Sequence, residues 1–112
     1  FAAHVQAAHR RVAARHRSMA AYHDAHRAFH LALVARCPNE RMVRQVAQLL
    51  DQSQRFHAVG AGKGAGRRDA AAEHAALCEA VVTGDRTQAV RLLRAHLQAT
   101  LDTVRRSTET VP

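Results

Sequence analysis

Every apolar run in this chain repeats with the period of an α-helix, and none alternates apolar and polar residues as a half-buried strand would. That restricts the fold to helices packed on helices, and the breaks between stripes set their number. Cys37-Pro38-Asn39 stops one helix, because proline disfavours helical backbone at the residue before it. Gly60 through Gly66 holds four glycines and reads as a flexible loop. Gly84-Asp85 pairs a helix-terminating residue with the next N-cap. Five helices follow. The first covers about residues 1–17, and the second runs from Ser18, as N-cap, to Arg36. The third turns Met42, Val43, Val46, Leu49, Leu50, Ser53 and Phe56 to one side. The fourth spans Arg67 to Thr83, with Ala70, His74, Leu77 and Val81 inward. The fifth runs from Asp85 to about Arg106 on a stripe of Ala89, Leu92, Leu93, His96, Leu97, Leu101 and Val104. Short connections make the fold class all-α, an antiparallel helical bundle.

The second helix has the stripe Met19, Tyr22, His26, Phe29, His30, Leu33, and two of its members are histidines. His26 and His30 are four residues apart, so they stack one turn apart on one face. His74 lies ten residues before Gly84, and His96 lies eleven after Asp85. At about 1.5 Å rise per residue, each stands roughly 15–16 Å from the turn. In a hairpin the two rings therefore arrive at the same height. A single histidine on an apolar face is usually a core residue bonded to backbone. Four on the inward stripes of three helices would each need partners for both ring nitrogens, and a shared ion meets that need for one nitrogen of each. Neutral imidazole is the commonest metal ligand among side chains, so His26, His30, His74 and His96 are the metal-ligand candidates. His4, His9 and His16 lie on an Arg-rich helix and read as surface, as does His57. His23 sits one step round from Tyr22, off the inward stripe.

With 112 residues the chain is one domain with one modest core. Trp is absent and aromatics are 4%, so the core must come from Ala, Leu and Val. Formal net charge is +8, yet of 17 basic residues only Lys63 is lysine. Apart from a cluster at Arg10, Arg11, Arg15 and Arg17 the arginines are dispersed, and a solvated basic face is the ordinary outcome of such spacing. A basic helical module binding nucleic acid through that cluster is the alternative. The Gly60–Gly66 segment has only a superficial likeness to a phosphate-binding loop, because no strand precedes it and Gly, not Ser or Thr, follows Lys63. Cys37 and Cys78 form no CxxC pair and read as small apolar residues in a reducing, cytoplasmic setting. No apolar run approaches the roughly 20 residues a membrane span needs. An enzyme is not expected, since a metal-assisted hydrolase wants a base and the inward stripes carry no carboxylate. Asp24 is on another face from His30, and Glu73 is rotated about 100° from His74. Ser53 and Thr100 are inward hydroxyls with no activating partner beyond the histidines.

Several segments together resemble a known family. The run from Ala25 to Leu33 looks like the D-x-x-F-H-x-x-L signature of the FCD domain, the effector-binding C-terminal domain of the FadR branch of GntR-family transcription regulators. Asn39 falls at the family's usual Asn after that helix. Glu73-His74-Ala75-Ala76-Leu77 followed by Gly84-Asp85 resembles its E-H-x-x-[LI]-x-x-A-[IV]-x-x-G-D segment, and Ala89 through Leu97 its A-x-x-x-[ML]-x-x-H-[LI] segment. The 22-residue step from His74 to His96 is what those motifs require. Asp51 through Phe56 looks like one subgroup in particular, and the resemblance runs from about Met19 to Val104.

The resemblance implies a dimeric bacterial regulator with an N-terminal winged helix-turn-helix. In many members one Asp and three His hold Zn²⁺, Ni²⁺ or a similar ion. A small organic acid, often a carboxylate, binds over the metal and alters DNA affinity. His30, His74 and His96 match the family histidines, whereas His26 stands at the Asp position. An all-imidazole set favours Zn²⁺, Ni²⁺ or Cu²⁺ over Mg²⁺ or Mn²⁺. Gln52 and Arg55 are the candidates for the far end of the acid. A metal-free sensor, with the histidines binding the acid directly, is the other reading within the family. The chain opens at Phe1 without an initiator Met and is expected to be a piece of a longer protein. The winged helix, through which DNA would be bound, and the family's first helix are expected to lie outside it.

Overall fold

The computed structural model describes residues 1–61 and 69–109, with the side chains of 55–61 and 107–109 left aside. Five helices follow one another: α1 (Ala2–Ala13), α2 (Met19–Leu33), α3 (Glu40–Ala61), α4 (Ala70–Val82) and α5 (Arg86–Glu109). Among the described residues there is no strand. No helix among them is long and apolar enough to cross a membrane.

Local chemistry accounts for the helix ends. Ser18 caps α2, its hydroxyl oxygen accepting from Ala21 N at 3.1 Å. Asn39 caps α3 through Met42 N, and Asp69 caps α4 through Ala72 N at 2.9 Å. Each of these side chains satisfies one of the amides that a helix start leaves without an intrahelical partner. Asp69 puts the start of α4 at Ala70, three residues later than the apolar pattern implied. In the other direction, α3 runs on through Gly60 and Ala61, into the glycine-rich segment, whose remainder lies outside the described residues. The α4–α5 turn is built as the sequence indicated. Gly84 has φ +76°, a left-handed conformation that costs glycine little. Asp85 N donates to Ala80 O at 2.9 Å and Gly84 N to Val81 O at 3.2 Å, the paired bonds of a Schellman ending. Asp85 then caps α5, accepting from Gln88 N at 3.1 Å.

The helices form a closed circuit in the order α1, α2, α3, α5, α4, each packing chiefly against its two neighbours in that order. The tightest core lies where α1, α2 and α4 meet. Val5, Ala8 and Val12 from α1 face Ala25, Phe29 and Ala32 from α2, with Leu77 and Cys78 from α4. Phe29, Leu77 and Val5 are the largest fully buried side chains. The alanines let backbones approach closely enough for one large ring to fill the centre. Burial pushes the Cys78 thiol above its ordinary value, Glu79 pushes the same way and Arg10 opposes. Cys78 therefore stays a protonated packing group, and both cysteines are free thiols.

Several expectations about facing are corrected. Met19, Met42, Leu49, Leu97 and Leu101 lie on apolar stripes but are exposed. His23 is buried rather than off the stripe. His9 and His16 are half-buried rather than on the surface, packed against the Phe29 and Tyr22 rings at 5.8 and 5.5 Å. His4 is exposed, as expected, and the His57 side chain lies outside the described residues.

Candidate metal centre

Inside the circuit, α2, α4 and α5 each turn imidazole toward the same point. His26 and His30 come from α2, His74 from α4 and His96 from α5, and all four are buried. One ligand nitrogen from each lies within 4.8 Å of the other three. That spread is a little wider than the coordination shell of one ion, in which nitrogens bound at about 2.0–2.1 Å stand roughly 4 Å apart at most, so a small inward movement of the side chains would bring all four onto one ion. His74 and His96 do arrive at the same height, with ring centroids 4.7 Å apart. The His26 and His30 centroids are 4.5 Å apart, and their Nε2 atoms share a hydrogen bond of 3.1 Å.

The cluster is held from outside by groups on α2, α3 and α4. Glu73 Oε1 accepts from His96 Nδ1 at 2.8 Å. A carboxylate only accepts, so Nδ1 carries the proton, and in the neutral ring Nε2 is then the nitrogen with a lone pair to offer a metal. A carboxylate behind a histidine fixes ring orientation and raises its basicity as a ligand. Wheel geometry put Glu73 away from His74, and that is correct. Its side chain instead crosses to α5, which the angle on one helix does not reveal. Tyr22 supports the other flank, stacked on His26 at 5.7 Å and 17°. Arg27 Nε donates to Asp51 Oδ1 at 2.7 Å, tying α2 to α3 just outside the cluster.

A groove of about 390 Å³ opens over the histidines between α2, α3 and α5. His26, His30 and His96 form its floor, and Leu50, Ser53, Leu97, Thr100, Leu101 and Val104 its walls. The size is that of small-molecule sites generally. His74, only 3% exposed, is not among the lining residues. Of the two residues expected at the far end of a ligand, Gln52 is exposed, and α3 contributes Leu50 and Ser53 to the lining. The Arg55 side chain lies outside the described residues.

A family model, FCD domain, matches residues 2–99. The chain belongs to the FCD domain family. The match takes in α1, which the motifs quoted above did not reach. No curated protein and no solved structure matches the chain. FCD domains are the effector-binding regulatory domains of GntR-family regulators, which places this chain in transcription regulation and gives it a small-molecule effector. In this FCD domain the four-histidine cluster is able to hold a metal ion. Its donor set, four neutral nitrogens of borderline softness, suits late divalent transition metals.

Proposed function

We propose that this FCD domain senses a small carboxylate through a metal centre of His26, His30, His74 and His96, and that a winged-helix domain outside this chain reads the result on DNA. The observation that carries the reading is the convergence of four buried imidazoles from three helices within 4.8 Å. Zn²⁺ or Ni²⁺ fits that donor set best. When bound, the ion supplies a Lewis-acidic anchor for carboxylate oxygens. The rest falls to the chain's own residues. Glu73 holds His96 in the tautomer that offers Nε2. Tyr22 limits the swing of His26 by stacking. His26 stands where the family pattern has Asp, so the donors bring no negative charge of their own and the centre keeps more attraction for an anion.

A ligand over the floor touches α2 and α5 directly and spans to α3 through Leu50 and Ser53. An effector shifts a regulator only by binding one arrangement better than another, and drawing three helices together supplies that difference. The protein is expected to work as a homodimer in the cytoplasm. Gln52 and Arg55 remain candidates for the rim. A metal-free sensor is the second reading, favoured by the 3.1 Å bond between His26 and His30, which already gives two ring nitrogens a partner.

Elemental analysis of the purified chain, with thermal melts before and after chelation, tests the proposal. About one metal per chain, and a melting point that falls on stripping, is the expected result. Equal metal content in wild type, His74→Ala and His96→Ala would sink it. Stabilisation by an acid that survives chelators would favour the metal-free reading.

A further inference from the structure

The walls of the groove say which acids it takes. Leu50, Leu97, Leu101 and Val104 line it with hydrocarbon, and among the described residues no Lys, Arg, Asn or Gln does. The two wall hydroxyls are turned to their own helices: Ser53 Oγ donates to Leu50 O at 3.0 Å and Thr100 Oγ1 to His96 O at 3.1 Å. Neither proton is left for a ligand. Polar donors are thus gathered at the floor, and the volume above it, about 390 Å³, holds roughly a dozen groups at ~30 Å³ each. A second carboxylate or a row of hydroxyls placed against these walls would lose water without gaining a donor from the described residues. The groove also stays open along one side, where Leu97 and Leu101 are 54% and 43% exposed, so closing a chain of methylenes over them removes apolar surface from water.

We infer that the effector is a monocarboxylate with an apolar tail of several carbons, its head over the histidine floor and its tail along Leu97, Leu101 and Val104. This rests on the metal–acid reading above and narrows it: short hydroxy acids, dicarboxylates and citrate-like polyacids are the wrong class for this chain.

Calorimetric titration of the zinc-loaded chain, its metal content checked beforehand, decides the matter. The probes are acetate, butanoate, hexanoate and octanoate, with hexanedioate, octanedioate and citrate against them. Affinity should rise about fourfold per methylene along the monoacids. Each diacid should bind at least about tenfold more weakly than the monoacid of equal length. Leu101→Ser should reduce the gain per methylene, whereas a merely structural role would weaken every acid by the same factor. A flat chain-length series, or citrate or a diacid binding more tightly than hexanoate, overturns the apolar-tail proposal and leaves the metal–acid reading standing. Zinc binding at one per chain with no response to any acid removes both together.

Discussion

Where α1, α2 and α4 meet, the apolar stripes close completely, and Val5, Phe29 and Leu77 are 0–1% exposed. Between α3 and α5, stripes just as apolar in sequence leave Leu49, Leu97 and Leu101 exposed and enclose a groove. Both sides are built from helices alone, so helix formation does not distinguish them. Filling does. The closed side packs alanines, valines and Leu77 around a single Phe, and its volume is used up. The open side has leucines over a floor of imidazoles, and its volume is kept. An apolar stripe therefore states that something covers it, and polar groups beneath it help to say what. The histidine cluster lies on the seam, with His74 from the closed side and His96 from the open one.

The sharpest way to break this contrast is to empty its closed side. Phe29→Ala should cost about 3–5 kcal/mol, because the ring is fully buried and its loss leaves a cavity in the packed core. Denaturant unfolding of the variant measures this, and a loss below about 1 kcal/mol would mean that the closed side is not the core. Metal removal comes next and acts on the seam. At an ion concentration a thousandfold above Kd, bound metal adds about 4 kcal/mol to folding, so a chelator should lower the melting point of wild type and leave that of His74→Ala nearly unchanged. Glu73→Gln should weaken metal affinity about 10–100-fold while the fold survives, since the amide can still accept from His96 Nδ1 but brings no charge. Competition with a chromogenic chelator reads this directly, and an unchanged affinity would reduce Glu73 to a surface contact. The smallest effect belongs to the open side. Leu49→Ala, at a position 63% exposed, should change unfolding free energy by less than about 0.5 kcal/mol. A loss comparable to that of Phe29→Ala would erase the distinction between the two sides.

The features legible in the sequence are those that depend on spacing along one helix or across one short turn. His26 and His30 share a face because they are four apart, and His74 meets His96 because Gly84 ends one helix and Asp85 starts the next. Ser18 as N-cap is read from a local rule for the same reason. What spacing does not contain is the identity of the neighbouring helix. His23 is off the stripe of Tyr22 and His26 by angle, yet buried, because burial depends on more than one face of α2. Glu73 reaches His96 across 23 positions through a long side chain, and Arg27 reaches Asp51 across 24. The exposed leucines were misjudged for the converse reason: periodicity finds an apolar face but does not count the helices available to cover it.

The Gly84 turn carries a consequence for inheritance. It separates His74 from His96 by a fixed number of residues, and each helical residue is a step of 100° in azimuth. One codon gained or lost between them would swing His96 out of the cluster while leaving every histidine in the gene. The length of that hairpin thus matters to the cluster as much as the imidazoles do, and wherever the cluster is kept it would be a stretch where substitutions accumulate and insertions do not.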